Sequence, residues 1–206
     1  MQKAVKKRKE GPTPGRPRAF DVDQALDRAL QVFWQKGYEG ASLADLTEAM
    51  GINRPSLYAA FGNKEALFRK VLDRYITGPA AYVSEALDEP TARGVIERLL
   101  GGAAASLTDP RNPRGCLVVH AALSCGEAAD SIRRELITRR AGTEAALRRR
   151  FKRAKSEGDL PVHSDPADLA RYVATLVQGM AVQAASGATR NELLRVVETV
   201  LRAWPA

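Results

Sequence analysis

The 206-residue sequence predicts an all-α fold in two parts: a three-helix helix-turn-helix unit at the N-terminus and a helical domain behind it. Three observations predict it. Apolar residues recur at helical spacing from Asp21 to the end of the chain. No alternating strand pattern interrupts them. Between Ser42 and Phe68, two short helical segments flank Gly51 and a third helix follows at once, the spacing of a helix-turn-helix. The expected divisions are a basic flexible arm over 1–19, the helix-turn-helix domain over 20–66 and the helical domain over 67–206.

The first helix is expected over Asp21 to Lys36. Val22, Leu26, Ala29, Leu30 and Phe33 form one stripe, with Asp23, Asp27, Arg28 and Gln31 off it, and Gly37 ends it. Ser42 opens the second helix as N-cap, with Asp45 placed for a capping box; Leu43, Leu46 and Met50 face inward. Gly51 takes positive φ without steric penalty, so the chain can turn sharply there. Asn53 caps the third helix and Pro55 suits its first turn. That helix is about two turns long; Leu57 and Phe61 anchor it, which exposes Arg54, Ser56, Tyr58 and Ala59. Such a unit lays its last helix in the major groove of DNA. Asn63 then caps a longer helix from Lys64 to Thr77, broken by Gly78 and Pro79.

Behind it, Ala80 to Leu87 is weakly helical, and Thr91 caps Ala92 to Leu107, whose stripe is Val95, Ile96, Leu99, Leu100, Ala103 and Leu107. Asp109 to Gly115 is a loop, and Cys116 to Cys125 a compact apolar segment. A long helix over Ala128 to Glu157 places Ile132, Leu136, Ile137, Leu147 and Phe151 on one face, and Gly158 ends it. Ser164 or Asp165 caps a helix to about Ala185, and Thr189 or Asn191 caps the last, to Trp204. These last two are apolar over more than one stripe, so both must be buried on two sides. A second copy of the chain is the expected cover, in a four-helix interface built from Tyr172, Val173, Val177, Met180, Leu194, Val197, Leu201 and Trp204.

The net charge is +8, and residues 1–20 carry six of those eight charges. An arm of this kind, with Arg16 and Arg18 next to the first helix, suits phosphates or the minor groove. Its Pro and Gly content predicts disorder in the absence of DNA. No apolar run approaches membrane-spanning length, and the charged N-terminus lacks the apolar stretch of a secretory signal. Cys116 and Cys125 do not suggest a disulfide framework. The expected location is the cytoplasm. No Gly-rich phosphate loop, H-E-x-x-H or G-x-S-x-G motif points to an enzyme or a cofactor.

Phe33, Gly37, Tyr38, Ser42, Leu43, Ile52 and the string Leu57-Tyr58-x-x-Phe61-x-Asn63-Lys64-x-x-Leu67-Phe68 resemble the DNA-binding domain of the TetR family of bacterial transcriptional regulators. The resemblance spans Phe20 to Phe68, about a quarter of the chain. It departs at Ala60, where many members carry a histidine that contacts the DNA backbone. What it implies is a dimeric repressor on a palindromic double-stranded operator, released by a small molecule of unknown identity. Tyr58 and Lys64 would grip phosphates, as would Ser42 through its hydroxyl and the helix N-terminus. Arg54, Ser56 and Ala59, with Pro55 in the same turn, would face base edges, Arg54 foremost because arginine reads guanine bidentately.

The resemblance also implies a small-molecule pocket in the helical domain, for which Tyr82, Leu99, Cys116, Val119, His120, Leu123, Tyr172, Leu176 and Met180 are the candidates. Cys116 follows Arg114 and Gly115 at an expected helix N-terminus, a setting that favours thiolate, so a redox- or electrophile-sensing repressor is the alternative. A metal site would need more than Cys116 and His120, and only Cys125 and His163 remain, so none is expected. A helical interaction module or small-molecule carrier is the reading from a different class. It requires Arg54→Ala and Tyr58→Ala to leave every activity unchanged.

Overall fold

The computed structural model describes residues 20–124 and 129–205, in which ten helices and no strands occur. They are α1 Val22–Gly40, α2 Leu43–Met50, α3 Arg54–Phe61, α4 Lys64–Thr77, α5 Tyr82–Leu87, α6 Ala92–Leu107, α7 Leu117–Ser124, α8 Asp130–Ser156, α9 Pro166–Ala185 and α10 Arg190–Ala203. Arg16, Arg18 and Cys125 lie outside the described residues, as does the side chain of Leu123.

Local chemistry sets the helix starts. The Asp21 carboxylate accepts the N–H groups of Asp23 and Gln24 at the head of α1. Asn53 and Asn63 accept those of Ser56 and Ala66 at α3 and α4. Thr91, Asp165 and Thr189 cap α6, α9 and α10. Each cap satisfies a donor that would otherwise lack an intrahelical acceptor. Gly37 does not end α1; at φ 71° and ψ 177° it kinks the helix, which runs on to Gly40. Gly51 adopts φ 67° and ψ 32° and turns the chain from α2 toward α3.

Two apolar clusters form the interior. One joins α1–α4 through Phe33, Phe68, Leu46, Leu57 and Leu67, with Phe33 and Phe68 edge to face at 4.9 Å. It also takes in Leu117 and Ala121 of α7 and Ile132 and Leu136 of α8, so the helix-turn-helix unit shares its core with the helices behind it. The division drawn after residue 66 falls inside α4, whose buried face from Leu67 to Tyr75 packs as one surface. The second cluster surrounds α6, whose Val95, Ile96, Leu99, Leu100 and Leu107 are fully buried among α5, α8, α9 and α10.

Two stripes differ from the periodicity. Ile137 is exposed, because α8 buries Ile132, Leu136, Leu147 and Phe151 and residue 137 stands a step round the helix from Leu136. Val22 and Leu26 of α1 are half-buried, while Ala25, Ala29, Leu30, Phe33 and Trp34 form the inner face. Trp34 is fixed there by a partner 81 positions away: its indole N–H donates to the carbonyl of Gly115 at 3.1 Å.

Candidate nucleic-acid interface and cavity

The short α3 helix has one buried and one open side. Leu57 and Phe61 are buried, whereas Arg54, Pro55, Tyr58 and Ala59 are exposed and Ser56 is half-buried. Arg54 occupies the first helical position and makes no ion pair among the described residues, so its guanidinium fork is available to a partner. Ala60 is half-buried against the core. Lys64 at the head of α4 lies with its Nζ 4.7 Å from the centre of the Tyr38 ring and 3.5 Å from the Glu39 carbonyl. A cation over an aromatic face is held by the ring quadrupole, which keeps this ammonium beside α3.

Ser42 is the N-cap of α2, as its spacing to Asp45 predicts. Its hydroxyl accepts the N–H of Asp45 at 3.0 Å and donates to the Asp45 carboxylate at 2.8 Å, so it is engaged within the capping box. The Lys36 ammonium 2.7 Å away, followed by the Ser42 N–H, brings the Asp45 carboxyl down to about 2. What the head of α2 presents outward is therefore its first backbone N–H groups, with Lys36 alongside. Lys36 was not legible as part of this surface, since only the fold brings it to Asp45.

A cavity of about 150 Å³ lies among α4, α6, α7, α8 and α9. Leu99, Cys116 and Val119 of the expected pocket residues line it, together with Leu147, expected only on the apolar stripe of α8, and with Tyr75, Val83, Arg139, Arg140 and Gln178, which periodicity does not single out. Tyr82, His120, Tyr172, Leu176 and Met180 do not line it. Tyr82 packs against Gly102, where a Cβ would come within 2.7 Å of it, and His120 packs against Gly115. Burial lowers the His120 pKa. Met180 is buried in the core and Tyr172 is turned to solvent. Cys116 stands at the head of α7 and accepts a hydrogen bond from the Tyr75 hydroxyl at 3.3 Å. Burial first, and the Cys116 thiol second, hold the Tyr75 phenol well above its ordinary pKa, so it stays a donor. Arg114 does not attend the thiol; its guanidinium reaches the carbonyl of Ala188.

The cavity wall is continuous with the helix-turn-helix core. Tyr75 meets Trp34 of α1 edge to face at 4.8 Å, and Arg69 of α4 pairs with Glu135 of α8 at 2.7 Å. Among the described residues no group of three or more His, Cys, Asp or Glu could hold a metal, and no helix is long and apolar enough to cross a membrane.

Comparison with known proteins places this architecture. The model of bacterial regulatory proteins of the TetR family matches residues 25–71, and that of the tetracyclin repressor-like C-terminal domain matches residues 90–200. The HTH-type transcriptional repressor ComR of Escherichia coli is 38% identical over 193 residues, 93% of this chain and 92% of ComR. The chain belongs to the TetR family. A second HTH-type transcriptional repressor of the same organism, BdcR, is 40% identical over 114 residues, 54% of this chain and 57% of BdcR. A solved structure of the TetR-family regulator CifR, a cysteine mutant complexed with 26-bp operator DNA, superposes with a TM-score of 0.88 at 48% identity, covering 92% of this chain and 100% of that one.

For a TetR-family chain the surface of α9 and α10 matters next. Of the residues expected at a dimer seam, Val173, Met180, Val197 and Trp204 are buried within the protomer, Trp204 against Phe151 at 5.6 Å. They fill the protomer's own core and leave little surface for a partner. The open apolar positions stand one step round α9: Tyr172, half-buried Leu176 and Val182, at four- and six-residue spacing, with Val196 on α10. Val177, Leu194 and Leu201 are half-buried against the same core.

Proposed function

We propose that this TetR-family regulator is a cytoplasmic, dimeric repressor that occupies a palindromic operator and is released from it by a small molecule, acting through binding and not through catalysis. The observation that carries the DNA reading is the open side of α3: an unpaired Arg54 at its first turn, Tyr58 beside it and Lys64 held at its end. Arg54 reads a base edge, Ser56 and Ala59 approach the groove floor, and Tyr58, Lys64 and the N-terminus of α2 hold the backbone. Arg16 and Arg18 add contacts from the arm. Dimerisation through α9 and α10 sets two α3 helices on half-sites about one DNA turn apart.

Release follows from the position of the cavity. Tyr75 forms part of its wall and belongs to α4, which packs with the reading head. A molecule that binds better when α4 stands away from α7 and α8 favours a head spacing that fits the operator less well. The test is fluorescence anisotropy against the DNA flanking the chain's own gene, with a scrambled duplex beside it, at two salt concentrations. Preferential binding that survives the higher salt is expected, and Arg54→Ala should lower it by about 1–3 kcal/mol per half-site. Equal, salt-sensitive binding to both duplexes would mean phosphate contact alone and would defeat the reading.

A second reading has one observation in its favour: Cys116 lines the same cavity with its sulfur in contact with Tyr75. A Michael acceptor entering the cavity would bond its β-carbon to the Cys116 sulfur as its C=C π bond breaks, the thiol proton passing through water to the α-carbon, and would displace the Tyr75 hydroxyl. Cys116→Ser should then keep operator binding and abolish release by electrophile while leaving release by a non-reactive effector intact.

A further inference from the structure

The cavity has an unusual balance of charge. Its wall is largely apolar, with Leu99, Leu147, Val83 and Val119 facing in, and none of the residues lining it is an aspartate or glutamate. Yet α8 brings two successive arginines to it, Arg139 and Arg140. They differ in one respect. Arg139 is fully engaged: it pairs with Asp73 and with Glu135, each at 2.8 Å. Arg140 makes no ion pair or hydrogen bond among the described residues, and its Nε is buried without an acceptor. The acid one turn along α8, Glu144, is drawn off by Arg171 of α9 at 2.8 Å.

A guanidinium cannot escape burial by losing its proton, so an unpaired one keeps its demand for an acceptor. The acceptor that matches its planar fork is a carboxylate, through two parallel hydrogen bonds. The rest of the wall defines what the carboxylate is attached to. A cavity of about 150 Å³ lined by apolar side chains holds a body the size of benzene. We propose that the cavity binds a small aryl or short-alkyl carboxylate, with its anionic end on Arg140 and its apolar body against Leu99 and Leu147. Gln178, on the same wall, supplies an amide that can meet a carboxylate oxygen left uncovered by Arg140. This names the effector class of the site proposed above, and rests on that reading only where release of DNA is concerned.

The experiment is calorimetric titration of the full chain, without DNA, with sodium benzoate, benzyl alcohol and benzylamine, three bodies of one shape and different charge. One benzoate per chain is expected, at least tenfold tighter than benzyl alcohol, with benzylamine weakest. Arg140→Met keeps the aliphatic length and removes the fork. It should weaken benzoate at least tenfold and leave benzyl alcohol unchanged, with thermal melting verifying that the variant folds. Arg140→Lys should recover part of the loss. Equal binding of benzoate and benzyl alcohol by the natural chain overturns the proposal, as does absence of benzoate binding or an Arg140→Met variant with unaltered benzoate affinity. Anisotropy on the operator separates the two readings: benzoate that binds but leaves operator affinity unchanged supports the carboxylate site and removes its effector role.

Discussion

Gly115 shows how much a single position can carry. Its φ of 88° is open to glycine and strained for other residues, and a Cβ there would lie 2.3 Å from His120 Cε1. Its carbonyl also receives the Trp34 indole. Gly115→Ala is therefore expected to destabilise the fold by about 1–3 kcal/mol from backbone strain, with the His120 clash added to it. Urea unfolding of Gly115→Ala with and without His120→Ala divides the two: the second change should recover the clash and leave the strain. Asp45 supports a pH prediction. Its folded pKa of about 2 lies below its ordinary value of 3.8, so its contribution is present above pH 4 and is lost as pH falls from about 4 to about 2. Thermal melts of Asp45→Asn and the natural chain should differ most above pH 4 and converge toward pH 2; a constant difference would put the effect elsewhere. Residues of this kind divide by range. The caps Ser42, Asn53, Asn63 and Thr91 were legible because each bonds its own neighbourhood along the chain, and Thr189 was legible as one of two choices with Asn191. Trp34 and Arg140 were not, since the first depends on a carbonyl 81 positions away and the second on the absence of an acid from a surface that only the fold assembles.

The same division holds for whole helices. Starts and stops follow local chemistry, and the sequence placed most of them within two residues; which face is buried depends on what the helix packs against. On α9 the apolar residues cover most of the circumference, so periodicity alone could not say which serve the protomer and which a partner. The structure assigns Val173 and Met180 inward and leaves Tyr172 and Val182 about half exposed, at 46% and 45%. Two substitutions use that difference. Val182→Glu places a charge on the open face, and is expected to halve the mass by light scattering while helical content by circular dichroism is retained. Val173→Glu places the charge in the core and should lose helical content and mass together. A Val182→Glu protein that keeps its dimer mass would move the seam off this face.

At the scale of the molecule, regulation depends on whether the cavity and the reading head belong to one mechanical unit. The shared core supports it: α7 and the first half of α8 pack with α1 and α4, and Tyr75 touches the cavity on one side and Trp34 on the other. The contact most specific to this connection is the Trp34 hydrogen bond to Gly115, which ties α1 to the loop leading into Cys116. Trp34→Phe keeps an aromatic ring against Tyr75, removes that bond and leaves a small gap where the rest of the indole stood. Coupling between two sites is reciprocal: a ligand that weakens operator binding by some factor is itself bound more weakly by the operator complex by the same factor, commonly about 5–150-fold. In Trp34→Phe both factors should shrink together, while operator affinity without ligand changes only a few-fold. The measurement is a ligand titration with and without saturating operator duplex, set beside an operator titration with and without ligand. Coupling that persists undiminished would assign transmission to another bridge between the two parts, such as Arg69 of α4 on Glu135 of α8. That pair is half-exposed and screened by salt, so a connection running through it would weaken as ionic strength rises, whereas one running through the buried indole would not.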